Sequence, residues 1–222
     1  MASTSRMERS LHVKILLIFL LGLTTIYGQA QQDLSISFQK AKHAEVPRKK
    51  LKRGDLLFHL TKKSNAITDV TPGMIDHVAI YLGGDSVIEA IGRGVVITPL
   101  DTLCMQEGRY LVGRVSKLCR KASLRKALTF LGRHYDWLYL PDNADIYCSE
   151  LVQLSYVDKK GKRLFGTIPM SFHDKTGHIT DYWNQFYAQH NMQVPEGLPG
   201  TNPGELSQRK NVLLLGLLAT AP

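Results

Sequence analysis

Tyr147-Cys148-Ser149-Glu150-Leu151-Val152 and, well upstream, Asp76-His77-Val78-Ala79-Ile80-Tyr81 decide how this 222-residue sequence is read. The first stretch puts a cysteine at the start of an amphipathic helix that buries Leu151, Val152, Leu154 and Ser155. The second puts a histidine at the start of a strand. A helix N-terminus favours a thiolate, and an imidazole can take and return its proton, so the pair is what a cysteine hydrolase requires.

Working outward from His77, Gly83-Gly84-Asp85 reads as a three-residue hairpin loop between strands 77–82 and 86–90. That loop sets Leu82 opposite Ser86, Ile80 opposite Ile88 and Val78 opposite Ala90. Side chains alternate along each strand, so His77, Ala79, Tyr81, Val87 and Glu89 share a face. Glu89 then becomes the diagonal neighbour of His77, about 7–8 Å away along the backbone and within reach of long side chains. A slip of one residue would send the two to opposite faces. Glu89 interrupts the apolar run Val87-Ile88-Glu89-Ala90, and a carboxylate buried there needs a partner. The competing reading makes it a plain edge-strand carboxylate.

Of the residues, 44% are apolar and 21% charged, which suits a globular chain with a full core and excludes a fibrous or disordered one. Residues 1–30 carry Arg6, Arg9 and Lys14 ahead of the apolar run Ile15 to Leu21, and Gly28-Gln29-Ala30 fits a small-x-small cleavage site. They are expected to be a signal peptide, leaving a single domain over 31–222 in a periplasmic or secreted protein. The run is too short for a comfortable membrane span. With three basic residues and one acidic residue removed, the net charge falls from +9 to +7. Such a charge draws the protein toward anionic envelope surfaces, and no motif points to nucleic acid. The cluster Arg48-Lys49-Lys50 with Lys52 and Arg53 reads as a solvated face, with contact to an anionic surface as its alternative.

Three cysteines in an exported chain leave at least one thiol free. Beside a reactive Cys148, Cys104 and Cys119 are read as two separate buried thiols, with a disulfide between them as the alternative. No cysteine or histidine spacing suggests a metal site. His59, His134 and His173 have no partner spacing and are expected on the surface or in loops. Tyr135, Trp137 and Tyr139 are expected to pack a loop, a substrate groove being the alternative.

Along the rest of the chain, residues 32–46 read as a helix and 54–60 as a buried strand. Residues 62–73 read as loop, 95–99 and 110–115 as strands, and 101–106 as a short helix. Leu124, Ala127, Leu128 and Leu131 at helical spacing predict a helix over 123–134 capped by Ser123. Thr180 to His190 reads as a last helix, residues 195–204 as ordered coil, and Val212 to Leu218 as an apolar run too short to cross a bilayer.

Gly54-Asp55-Leu56-Leu57-Phe58, Asp76 to Leu82 and Val87-Ile88-Glu89-Ala90, followed by Tyr147 to Val152, resemble NlpC-type cell-wall cysteine peptidases. The histidine strand here precedes the cysteine helix, an order similar to the circularly permuted, YiiX-like branch, and the resemblance covers roughly residues 50–205. It implies an α+β, circularly permuted papain-like fold, with an antiparallel sheet packed against the cysteine-bearing helix. It also implies Cys148 as nucleophile, His77 as general base and acid, and Glu89 as the group that orients His77. The backbone N–H of Cys148 becomes an oxyanion donor, and Tyr147 a weaker candidate for the pocket or hole. Asp55 is read as structural.

The expected reaction is amide hydrolysis through a thioester, without a metal or organic cofactor and without a stable protein partner. Cell-wall peptides are the leading substrate. Acyl esters or amides of lipid type, hydrolysed or transferred, are the alternative. A non-catalytic binding module on the same fold is the reading from another class. A shallow polar cleft would favour peptide, and a long apolar tunnel lipid.

Overall fold

A computed structural model describes residue 32 and residues 36–219 of the chain. The chain separates into two compact units, residues 1–40 and 41–222. Of the first unit, residues 32 and 36–40 are described, and they are helical. The expected signal peptide and its cleavage site at Ala30 lie outside the described residues. Helical backbone over 36–43 (α1) precedes strand β1 (Glu45–Val46), so the helix read over 32–46 yields to extended chain at its end.

The larger unit is built on a seven-stranded sheet in the order β1-β9-β6-β2-β3-β4-β5, antiparallel except where β1 meets β9. Its strands are β2 (Asp55–Leu60), β3 (Ile75–Gly83), β4 (Ser86–Ile91), β5 (Gly94–Pro99), β6 (Arg109–Val115) and β9 (Val212–Leu218), beside β1. A separate two-stranded sheet pairs β7 (Ile168–Pro169) with β8 (Pro199–Gly200). The α+β class and the largely antiparallel sheet are as expected. The apolar run at the C-terminus proves to be a strand inserted between β1 and β6, where Leu217 and Leu218 are buried.

In the β3–β4 hairpin, Ile80 pairs with Ile88 and Tyr81 with Val87, which is the expected register. Ser86 pairs with Gly83 rather than Leu82, because the ladder shifts by one residue next to the turn, where Gly83 and Gly84 take φ of 88° and 59°. Both faces of this hairpin are buried. Val78, Ile80, Ile88 and Ala90 line one, and Ala79, Tyr81 and Val87 join Leu57, Leu100, Leu103, Tyr110 and Val112 on the other.

The helices depart further from their expected bounds. α2 (Ala66–Val70) forms inside the segment read as loop, because Asn65 accepts the N–H groups of Ile67 and Thr68 while Thr68 accepts that of Asn65. α3 (Leu100–Cys104) lies close to its expected place. α4 spans Arg120–Leu128 rather than 123–134. Ser123 is therefore not its cap; the hydroxyl is buried and exchanges hydrogen bonds with the backbone of Val157. Leu128 and Leu131, whose spacing suggested the longer helix, are exposed. α5 (Cys148–Ser155) packs on β3 and β4 and buries Leu151 and Val152 completely, worth roughly 1.5–3 kcal/mol for each side chain. α6 (Asp181–Gln189) and α7 (Pro203–Ser207) complete the described helices. No helix among the described residues is long and apolar enough to cross a membrane.

Candidate active site

Cys148 is the first residue of α5, and Tyr147 caps it in extended conformation with φ −98° and ψ 170°. The backbone N–H of Cys148 therefore belongs to the first helical turn, whose donors have no partner within the helix. The side chain is 5% exposed and borders a cavity of about 40 Å³. Ile67, Val70, Tyr139, Met170, Phe172 and Trp183 give that slot an apolar lining.

His77 enters from β3, and its Nε2 donates to Glu89 Oε2 over 2.7 Å. The diagonal contact expected from strand alternation is thus made. With Nε2 committed to Glu89, Nδ1 is the nitrogen left to act on Cys148, the strongest of the influences that raise the ring. Burial pulls the imidazole toward its neutral form. The hydrogen bonds and charges of Cys148 and Glu89 outweigh burial and push its pKa up to about 10.

Glu89 is fully buried in β4. Burial raises its carboxyl, but the bond and charge of His77, then Thr98 and Arg93, bring it below the usual glutamate range. Neither Glu89 Oε1 nor Thr98 Oγ1 has a partner at hydrogen-bond distance, so Thr98 acts on Glu89 at longer range than His77 does. A buried charge with one free oxygen leans on its single strong partner.

Tyr147 is buried beside the slot. Its hydroxyl accepts the N–H of Thr201 over 3.0 Å, and its ring meets Tyr139 at 5.2 Å. This ties the start of α5 to the segment after β8.

Other residues play parts that the sequence reading did not assign. His59 is buried rather than on the surface or in a loop. Its Nδ1 lies 2.6 Å from Asp76 Oδ1, and its Nε2 2.7 Å from the carbonyl oxygen of Glu107. A bulge makes this possible: His59 pairs with His77 and Leu60 with Ile75, which leaves Asp76 as the extra residue. The bulge re-aims Asp76, which strict alternation would send to the face opposite His77. Asn65 donates to its other oxygen over 2.7 Å. Burial favours the neutral acid, but the bond and charge of His59 outweigh it, and Asp76 titrates below the usual range. Asp76 borders both the slot and a wider cleft of about 380 Å³ that also holds His77 and His59.

Tyr135, Trp137 and Tyr139 line these spaces rather than only packing a loop. Asp136 holds the loop that carries them, accepting from the N–H groups of Leu138 (2.9 Å) and Leu140 (2.8 Å) and from Asn143 Nδ2 (3.0 Å). Burial raises Asp136, and those donors oppose it. Glu150, in the first turn of α5, is pushed up to about 7 by burial and then by the charge of Asp136. The alternation Tyr135-Asp136-Trp137 was the available signal for this loop, and without its fold the signal could not be assigned.

Asp55 is structural, as read: it is buried and forked by Arg114 at 2.8 and 2.7 Å. His134 is exposed, and His173 lies 3.2 Å from Glu196, away from the slot and the cleft. Arg48 of the basic cluster pairs with Asp101. All three cysteines are free thiols, so the disulfide alternative for Cys104 and Cys119 is not formed, and both are half-buried rather than buried. No group of three or more His, Cys, Asp or Glu side chains able to hold a metal ion occurs among the described residues.

Residues 50–215 match the model of the permuted papain-like amidase enzymes of the YaeF/YiiX type. The chain belongs to this family. The YaeF/YiiX match spans every strand from β2 to β6 together with α5, and so contains the whole arrangement of His77, Glu89 and Cys148. The protein is accordingly a cysteine hydrolase of the amidase class. A comparison with curated proteins finds no match.

Proposed function

We propose that this permuted papain-like amidase cleaves an amide through a Cys148–His77–Glu89 triad, with an apolar acyl group seated beside Cys148. The sulfur attacks the carbonyl carbon with its proton already held by His77, which stays charged up to about 10. Collapse of the tetrahedral adduct breaks the C–N bond, and His77 returns the proton to the departing amine. Water, deprotonated by His77, then releases the acid from the thioester. Glu89 stabilises the imidazolium through both steps, and the N–H of Cys148 is placed for the oxyanion.

The observation that carries the reading is the meeting of one thiol, one imidazole and one buried carboxylate from α5, β3 and β4, with His77 bonded to Glu89 at 2.7 Å. A binding module has no need of a buried carboxylate holding a histidine against a thiol. The apolar lining of the slot favours an acyl chain on the carbonyl side over the wall peptide that leads from the sequence. The small volume of the slot, about 40 Å³, favours an unbranched acyl group beside the carbonyl. An exported setting, cleaved near Ala30, belongs to the same proposal.

Turnover of N-acyl amides, wall muropeptides and p-nitrophenyl acyl esters, with Cys148→Ala as control, tests the reading. Acyl amides of unbranched chains should be hydrolysed, and the variant should be inert. Preference for muropeptides would return the substrate to wall peptides. Sluggish iodoacetamide labelling of Cys148, unchanged in His77→Ala, would remove the enzyme reading itself. N-terminal sequencing of the exported protein should begin at Gln31.

A further inference from the structure

Three segments meet outside the cleft. The turn after α4 is fastened to the start of β5 by two backbone hydrogen bonds, Val95 N–H to Arg133 O at 2.8 Å and Gly132 N–H to Val95 O at 2.9 Å. The β4–β5 turn reaches Trp137, whose indole ring a Cβ built on Gly92 would meet at 3.1 Å. Trp137 itself stands edge-on to Tyr135, with centroids 4.8 Å apart, and borders the cleft that holds His77.

On this rim Leu128, Leu131 and Trp137 are 42%, 49% and 56% exposed. Single exposed apolar residues are ordinary, but here they stand among cations. Arg93 and Arg133 are exposed on the joined turns, and Arg125 precedes Leu128 by three residues on the same face of α4. None of the three arginines has an ion-pair partner among the described residues. Arg133 spends its side chain on the Ala144 carbonyl and the Phe130 ring, while Asp142 and Asp145, flanking that carbonyl, form no ion pair with it. Tyr182, on α6 across the cleft, is 53% exposed.

We propose that this rim docks on the surface of an anionic lipid bilayer, inserting Leu128, Leu131 and Trp137 among the headgroups while Arg93, Arg125 and Arg133 meet the lipid phosphates. Aromatic and leucine side chains ringed by unpaired arginines suit the interface between headgroups and acyl chains. A protein partner would have to set a carboxylate against each of the three arginines, whereas an anionic bilayer offers a phosphate at every position. Anionic headgroups answer the arginines and admit the apolar tips. Trp137 is at once rim and cleft wall, so a docked molecule holds its cleft open to the bilayer. Delivery of an acyl amide from the membrane rests on the amidase reading given above. The docking itself does not.

Sedimentation of the full chain with vesicles of phosphatidylcholine, alone or mixed with phosphatidylglycerol, tests the proposal. Binding should favour the mixed vesicles and shift the emission of Trp137 to the blue; the other tryptophan of the chain, Trp183, is buried and should not respond. Leu131→Asp and Trp137→Ala should each weaken binding to mixed vesicles at least tenfold. Arg93→Gln and Arg133→Gln should each weaken it roughly fivefold, and more at low salt. All four positions are exposed, and an unchanged melting curve confirms that a variant is folded.

Equal binding by Leu131→Asp, Trp137→Ala and the parent overturns the proposal. So does binding to soluble polyglutamate as tight as to vesicles, which would show charge recognition alone. Cys148→Ala should bind vesicles as the parent does. A parent protein that docks yet hydrolyses no amide rejects the amidase reading and keeps the surface, whereas one that is active and does not dock rejects the surface only.

Discussion

Replacing Glu89 by glutamine keeps the shape of a fully buried side chain and removes its charge. The bond it makes to His77 is 2.7 Å long, and the two side chains are 1% and 15% exposed, so solvent screens the pair little. Hydrogen bonds to charged groups contribute about 1.5–3 kcal/mol and neutral ones about 0.5–1.5. Glu89→Gln therefore costs the imidazolium about 1–2 kcal/mol of support, a factor of roughly 5–30 in its proton affinity. If that ion is what Cys148 needs beside it, kcat/KM on a good amide substrate falls by the same roughly 5–30-fold, chiefly in kcat, at pH above about 10, and changes little near neutrality. The alkaline edge of the pH profile, set by loss of the His77 proton, moves to lower pH. Steady-state rates across pH on parent and variant, with urea unfolding to confirm a folded protein, measure both. Unchanged kcat/KM and an unmoved alkaline edge would refute the role given to Glu89, because no other carboxylate among the described residues bonds His77.

Stability should carry the same signature. His77 is held charged up to about 10 in the folded chain against an ordinary 6.5, so its contribution is complete below 6.5 and is lost as pH rises through 10. Glu89, held low, contributes above 4.5 and loses that contribution as pH falls through its lowered range. Urea unfolding against pH should show a decline from 6.5 to 10 that flattens in His77→Gln; a parallel decline would be contrary. Gly108 takes φ of 119°, and a Cβ there would lie 2.4 Å from His59 Nε2 and 2.5 Å from the Leu60 carbonyl oxygen. Gly108→Ala should therefore cost at least about 1–3 kcal/mol, and an unchanged Tm would disprove the packing described around His59. Asp136→Asn replaces a carboxylate that takes three donors with an amide oxygen that suits two, loosening the Tyr135–Tyr139 loop. It should raise KM roughly tenfold with a smaller change in kcat, for a loss of about 1–2 kcal/mol of hydrogen bonding. A variant that loses only kcat would argue against a positioning role for that loop.

The placement of His77, Glu89 and Cys148 was legible where local rules are strict. A three-residue loop and the two-residue period of a strand are enough to set Glu89 beside His77, and a cysteine before Leu151 and Val152 reads as the start of a buried helix. Less could be read where a residue's role depends on distant partners. Ser123 looked like a cap because serine often is one; it serves Val157 instead, from across the fold. Leu131 fitted a helical face but lies beyond the end of α4, where β5 takes up the backbone of the turn.

The pleat, the turn and the helix start are properties of neighbouring residues, so the linear order of amino acids alone specified the hairpin and the cysteine helix. Partnership across the sheet decided the rest. The bulge that swings Asp76 to His59 arises only when β2 and β3 pair out of step, and Val212 to Leu218 becomes a strand only because an edge lies open between β1 and β6. A ladder hydrogen bond has no memory of sequence distance, and that is why composition and spacing could not reveal these contacts in advance.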